Sequence, residues 1–300
     1  MRFSAYSRLF VALALGIACA QFAPAQTFKR VIVKGGAPLA QIAAGGASVW
    51  ARTSNGNPYV LKGKQFVLAN SISLTQIAVG GGNAFQADTV WGLNSAGSIY
   101  KAAKSGTTWV FSQVPGVLDF IAVGAGYQDS CHPYEVWGLN TGSEIFRYNF
   151  CGNSFDQAPG FLCQIQVGSG DIWGTECGPN VYRFNFSTLS FHQMSNLNLT
   201  QLTVGSNGMW GITVSPSGNV VQFDDEAHNF YAVGGEPATQ IQAGGNGVWG
   251  ISSSQQIFRL DPSTFSFIHI PGAFVSISVG TGGGVWGLDS SGKAFAFTTL

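Results

Sequence analysis

The chain has 300 residues with 14 basic and 14 acidic side chains, and only 9% of its residues are charged, against roughly 25% in typical soluble domains. Charge so sparse and balanced excludes the electrostatic footprint that nucleic acid or an anionic membrane surface requires. Its 41 glycines and 23 phenylalanines suit tight turns between short aromatic strands.

The chain opens with Arg2 and Arg8, an apolar run over residues 9–20, and two small-residue cleavage patterns, Ala18-Cys19-Ala20 and Ala23-Pro24-Ala25. That order predicts a secretory signal peptide over residues 1–25 and export of residues 26–300 to an extracellular or periplasmic compartment. No later stretch approaches the ~18 consecutive apolar residues of a membrane helix.

Next comes an isolated strand phrase, Phe28-Lys29-Arg30-Val31-Ile32-Val33. From there to the end one phrase recurs seven times: a small apolar pair, a glycine cluster, an aliphatic residue and a tryptophan. The tryptophans are Trp50, Trp91, Trp137, Trp173, Trp210, Trp249 and Trp286, spaced 36–46 residues apart. A period of about 40 built from short β-like phrases signals a β-propeller.

Each period offers four strands. Strand a is the I-x-V-G phrase and strand b the V-W-G-L phrase. Strand c is aliphatic–aromatic–basic, as in Ile99-Tyr100-Lys101, Ile145-Phe146-Arg147, Val181-Tyr182-Arg183 and Ile257-Phe258-Arg259. Strand d starts on an aromatic: Phe66, Trp109, Phe155, Phe191, Phe230 and Phe267. Turn residues such as Asn94-Ser95-Ala96-Gly97 separate b from c. The last copy stops after strand c, so the phrase at Phe28 is expected to supply its missing strand d and close the ring. The expectation is an all-β, single β-propeller of seven four-stranded blades, with six blades as the alternative. Closure removes the open edge and uncovered apolar face of an unfinished ring.

Four cysteines follow the leader, an even number suited to disulfides in an exported protein. In an up-and-down blade the a–b and c–d loops share one face of the disc, and the b–c and d–a connections the other. Cys131 falls in the a–b loop of the third blade and Cys151 in its c–d loop. Cys163 precedes strand a of the fourth blade and Cys177 lies in its b–c loop. The topology therefore predicts Cys131–Cys151 and Cys163–Cys177.

At this point the repeat resembles the tectonin family, with its fish-egg lectins and tachylectin. Trp109, Ile277-Ser278-Val279-Gly280, Val136-Trp137-Gly138-Leu139-Asn140 and Ile145-Phe146-Arg147 carry the likeness, which covers residues 28–298. Two departures stand out: the lectins compared have six blades, and their strand-d aromatic is usually Trp where this chain mostly has Phe. What the resemblance implies is binding of glycans, microbial or cell-surface, at sites repeated around the ring.

Candidate ligand-binding residues are the strand-c cations Lys101, Arg147, Arg183 and Arg259, which could fork to sugar hydroxyls or acidic groups, and Asn94 and Asn140, just after V-W-G-L. Competing readings are ion pairs or a solvated face for the cations and turn closure for the asparagines. The repeated tryptophans are expected to pack blade on blade rather than stack on sugars. Residues 126–135, with Tyr127, His132 and Tyr134, lengthen one a–b loop and could set specificity. Asp224-Asp225-Glu226 with His228 is the densest group of hard ligands, but it lacks calcium-loop spacing and reads as a c–d loop.

No nucleophile elbow, zinc motif or phosphate loop is present, so neither catalysis nor a cofactor or bound metal is expected. The leading expectation is a secreted, multivalent carbohydrate-binding protein. The alternative is a propeller scaffold for a protein partner, and an unrecognised propeller hydrolase, marked by a His/carboxylate cluster in the central channel, stands third.

Overall fold

The structure, a computed structural model, describes residues 26–299 apart from 83–85 and 169. The expected leader, residues 1–25, lies outside the described residues. Twenty-eight strands and no helix are found among the described residues, arranged as seven blades of four antiparallel strands around a channel. Blade one comprises Leu39–Ala44, Val49–Thr53, Pro58–Lys62 and Gln65–Leu68. Blade two runs Gln76–Gly80, Thr89–Leu93, Ser98–Ser105, Thr108–Val117, and blade three Phe120–Asp129, His132–Leu139, Glu144–Asn149, Ser154–Phe161. The same a–b–c–d order repeats through blade six, which ends with Ser266–Ala273.

Blade seven takes strands a to c from Ser276–Val279, Val285–Leu288 and Ala294–Thr299. Its strand d is Gln26–Val33, antiparallel to strand c with Phe28 opposite Phe297 and Gln26 opposite Thr299. The ring thus closes as the repeat count predicts, and the six-blade alternative falls. One detail was not anticipated: Ile32 and Val33 also pair in parallel with Gln65 and Phe66 of blade one. That joins blades seven and one into one eight-stranded sheet.

Packing follows from the repeat. Buried apolar side chains form seven clusters among the described residues, each spanning two adjacent blades and holding one motif tryptophan. Trp50, Trp91, Trp137, Trp249 and Trp286 lie edge-on to the strand-d aromatic of the following blade, with centroids 4.6–5.9 Å apart. Phe28 plays that part for Trp249, at 5.9 Å. Each buried indole removes roughly 150–250 Å² from water, so the tryptophans are the principal glue between blades.

Glycine permits the tight inner radius. A Cβ on Gly80 would stand 2.5 Å from the carbonyl oxygen of Val123 in the next blade, and one on Gly280 only 2.2 Å from that of Gly45. Such approaches admit no side chain.

Candidate functional site

The innermost strand of each blade has one edge with no strand beside it, and its N–H and C=O groups must find partners elsewhere. Glutamines supply them. The Gln76 amide donates to Ile121 O (3.0 Å) and accepts from Ile121 N (3.0 Å), clasping blade two to blade three. Gln41 does the same for Ile77, Gln201 for Ile241 and Gln240 for Ile277, while Gln164 donates to Thr200 O. Where blade seven has Ser276 at this position, Ser278 Oγ accepts from Ala44 N at 3.0 Å. Sequence reasoning missed this belt.

The channel inside the belt has a volume of ≈ 290 Å³ and is lined by strand a of all seven blades, with neutral residues only, among them Gln166, Gln242, Thr203 and Ser278. Among the described residues no histidine or carboxylate lines it. Nor do the described residues hold a group of three or more His, Cys, Asp or Glu that could bind a metal ion.

The strand-c cations sit opposite the motif tryptophans in the b–c ladder: Trp91 with Lys101, Trp137 with Arg147, Trp173 with Arg183 and Trp249 with Arg259. Each lies 5.2–5.7 Å from its indole centroid, within cation–π range. What differs is the residue two before the tryptophan. In blade three it is Glu135, wholly buried, which accepts from Arg147 Nε (2.9 Å) and Nη2 (2.5 Å) and from Trp137 Nε1 (2.7 Å). In blade four it is Asp171, held by Arg183 Nε (2.8 Å) and Trp173 Nε1 (2.7 Å). Arg183 also reaches Asp225 of blade five at 2.6 Å. These acids hold the Arg183 guanidinium above its ordinary pKa although burial works against it. In blade two the position is Thr89, whose hydroxyl accepts from the Trp91 N–H. In blade five it is Gly208, and the buried Trp210 Nε1 has no partner among the described residues.

Asn94 and Asn140 close b–c turns. Asn94 Oδ1 accepts from Ala96 N and Ser98 N, and Asn140 Oδ1 from Gly142 N and Glu144 N, all at 2.9–3.0 Å. Asp289 repeats this in blade seven. The acidic run behaves as a loop: Asp224 Oδ1 caps Glu226 N and Ala227 N, and Asp225 pairs with Arg183.

The disulfides are Cys131–Cys151 and Cys163–Cys177, as the topology predicts. The first fastens the extension of blade three, a lengthened a–b hairpin. Tyr134 of that hairpin donates to Ala87 O at 2.9 Å and lies 5.8 Å from Phe150. His132 pairs with Asp129 at 2.9 Å.

One further cleft was not anticipated from the sequence. A cleft of ≈ 430 Å³ at blades four and five is lined by Ser195, Asn196, Leu197, Thr213, Ser215, Pro216, Asn219, Val221, Asn229, Phe230 and Ala232. It carries amides, hydroxyls and one aromatic ring, and no charge. The Asn219 and Ser215 side chains make no hydrogen bond within the fold among the described residues.

The tectonin-domain model matches residues 38–128 and 127–300, nearly the whole ring. The chain belongs to the tectonin family. No curated protein sequence matches it. Among solved structures it is similar to YCF48 bound to D1 peptide, at 14% identity and a TM-score of 0.61, covering 93% of this chain and 100% of that one. The Pan2 WD40 domain of Neurospora crassa aligns at 14% identity and a TM-score of 0.63, covering 88% of this chain and 90% of that one. Prp20p of Saccharomyces cerevisiae aligns at 8% identity and 0.64, with 87% and 83% covered. Identities this low speak for the propeller fold alone.

Proposed function

We propose that this tectonin protein is an exported, non-catalytic carbohydrate-binding protein. One observation carries the reading: the uncharged cleft at blades four and five, where Asn219, Ser215 and Asn196 stand beside the ring of Phe230. Amides and hydroxyls pair with sugar hydroxyls in both directions, and an aromatic ring suits the C–H face of a pyranose. Membership of the tectonin family, to which the fish-egg lectins belong, supports it. Export is supported by the leader-like sequence and by two disulfides, bonds that persist in oxidising compartments. No helix of the described residues is long and apolar enough to cross a membrane. Further weak sites around one disc would raise avidity on a dense glycan surface.

The test is a glycan array, including microbial polysaccharides and methylated sugars, followed by competition with free sugar. Asn219→Ala and Phe230→Ala should each weaken binding by about tenfold or more, the worth of one well-made contact. Absence of binding across the array, or binding indifferent to both substitutions, rejects the cleft as the site.

A second reading has its own observation. The face bearing the b–c turns and d–a connections exposes Phe161 (65%), Val117 (61%), Leu68, Val214 and Val275, apolar side chains that a partner would cover. A protein partner would dock there, and Val117→Ser with Phe161→Ser would abolish its capture without changing sugar binding.

A further inference from the structure

Blade two departs from its neighbours in a way that exposes an unmet charge. In blades three and four the strand-c cation meets a carboxylate two residues before the tryptophan, Glu135 or Asp171. Blade two keeps the cation, Lys101, but has the uncharged Thr89 in place of the acid. Among the described residues Lys101 forms no ion pair. Its ammonium lies instead 4.6 Å from the ring centroid of Phe150, 5.4 Å from Tyr148 and 5.6 Å from Trp91. Ring faces offer partial negative charge, but no full countercharge.

The surroundings are fixed before any ligand arrives. Phe150 N donates to Cys131 O at 2.9 Å, and the adjoining Cys151 is bonded to Cys131. Tyr148 is buried and its hydroxyl donates to Asn153 Oδ1 at 2.6 Å. Tyr134, 5.8 Å from Phe150, continues the aromatic wall toward the a–b loop of blade two, where its hydroxyl donates to Ala87 O. Half-burial pushes the Lys101 pKa down, as expected for an ammonium short of a counter-ion. A carboxylate meeting it here would gain more than at an open surface, because the rings exclude water and lower the local dielectric.

We propose that Lys101, walled by Phe150, Tyr148 and Tyr134, is a charge-reading subsite that takes the anionic group of an acidic sugar between blades two and three. The anion supplies from outside the countercharge that Glu135 and Asp171 supply from within. The ring of the same sugar lies against Phe150 and Tyr134. This rests on the carbohydrate reading above and adds a ligand class to it. It also gives the blade-three extension a purpose, since that hairpin and its disulfide build the wall.

The experiment follows the Cε resonance of Lys101 in protein carrying ¹³C-labelled lysine. The probes are glucuronate, N-acetylneuraminate and glucose 6-sulfate, with glucose, methyl glucuronate ester and acetate as matched comparisons. The expected result is a saturable shift with at least one acidic sugar, at least about tenfold tighter than with its neutral counterpart, as for a charge-assisted contact. Lys101→Gln should abolish acidic-sugar binding and Lys101→Arg should retain it, with urea midpoints confirming that both variants fold. An unmoved Lys101 resonance with all three acids, an equal response to acetate, or acid binding that survives in Lys101→Gln would overturn the proposal. Neutral-sugar binding that responds to Asn219→Ala while the acids fail defeats this inference alone. Failure of both classes removes the carbohydrate reading as well.

Discussion

Glu135 is a carboxylate with no exposed surface, and three donors converge on it. Removing one member of a buried pair leaves an uncompensated charge, which costs about 3–5 kcal/mol, whereas replacing both members is often close to neutral. Glu135→Leu should therefore lower stability to urea by about 3–5 kcal/mol. The double variant Glu135→Gln with Arg147→Met, which keeps an acceptor for Trp137 Nε1, should stay within about 1–2 kcal/mol of the parent. The second ion pair of Arg183, across to Asp225 of blade five, is open to solvent, with the Arg183 side chain 34% and Asp225 67% exposed. Asp225→Ala should accordingly cost no more than about 1 kcal/mol. A Glu135→Leu midpoint as mild as that of Asp225→Ala would show that water reaches the blade-three pair. Arg147 and Arg183 stand out in the sequence as repeated cations and Asp225 as part of an acidic run, but Glu135 and Asp171 do not stand out as their partners. Glu135 reads as part of an insertion until its place two residues before Trp137 is compared with Asp171 and Thr89.

At the scale of the element, the inner strand is held by side chains acting as a substitute strand. Gln76→Ala would strip the Ile121 N–H and C=O of their partners, and an unsatisfied buried backbone group costs about 1–3 kcal/mol. Amide exchange at Ile121 should quicken by the matching factor, while Leu260, in strand c of blade six on the far side of the ring, keeps its rate except through the global term. Turns carry a pH signature. Burial alone would raise the Asp289 pKa, but the N–H groups of Lys293 and Ser291 and the Ser291 hydroxyl outweigh it, and the carboxyl sits below its ordinary value. A depressed folded pKa contributes stability that is present above the unfolded value of about 3.9 and lost as pH falls through the folded one. Urea midpoints between pH 5 and 2 (a window set by about those values) should fall less steeply for Asp289→Asn than for the parent. The blades and turns were legible in the sequence because tryptophan, strand-d aromatic and turn residue recur at fixed offsets. The glutamine belt was not, although Gln41, Gln76, Gln164, Gln201 and Gln240 also recur. Each pairs with a backbone edge one repeat away, and composition says nothing of which edge lies free. The cleft escaped for the opposite reason: Phe230 reads only as a recurring strand-d aromatic, while Asn219 and Ser215 beside it belong to one blade alone, which comparing repeats averages away.

For the whole molecule the decisive question is how a ring built from one linear chain stays shut. The chain itself crosses every junction between neighbouring blades, and the ring is shut inside blade seven, where Gln26–Val33 lies against Ala294–Thr299. Phe28 sits there 4.6 Å from Phe274, 5.1 Å from Phe297 and 5.9 Å from Trp249. Loss of that ring alone costs about 3–5 kcal/mol, a large share of the about 5–15 kcal/mol that holds a typical domain folded. A chain starting at Lys34 would also expose strand c of blade seven as an unpaired edge. It should unfold or associate, as read by its sedimentation and near-ultraviolet dichroism. Geometry supplies the control. Gln26 stands opposite Thr299, so a two-residue Asn-Gly turn of the kind that joins antiparallel strands can connect them in place of Leu300. Opening the chain between Gly35 and Gly36, exposed and in a left-handed turn, then gives a permuted protein in which all four strands of blade seven are consecutive. That permutant should fold with both disulfides formed and match the parent's stability within about 1–2 kcal/mol, the scale of a modest local change. If instead the truncated chain kept the parent's midpoint, blade seven would not need its fourth strand, and the closure argument would fail. If truncation and permutation were equally damaging, the harm would come from cutting at Gly35 rather than from losing the strand.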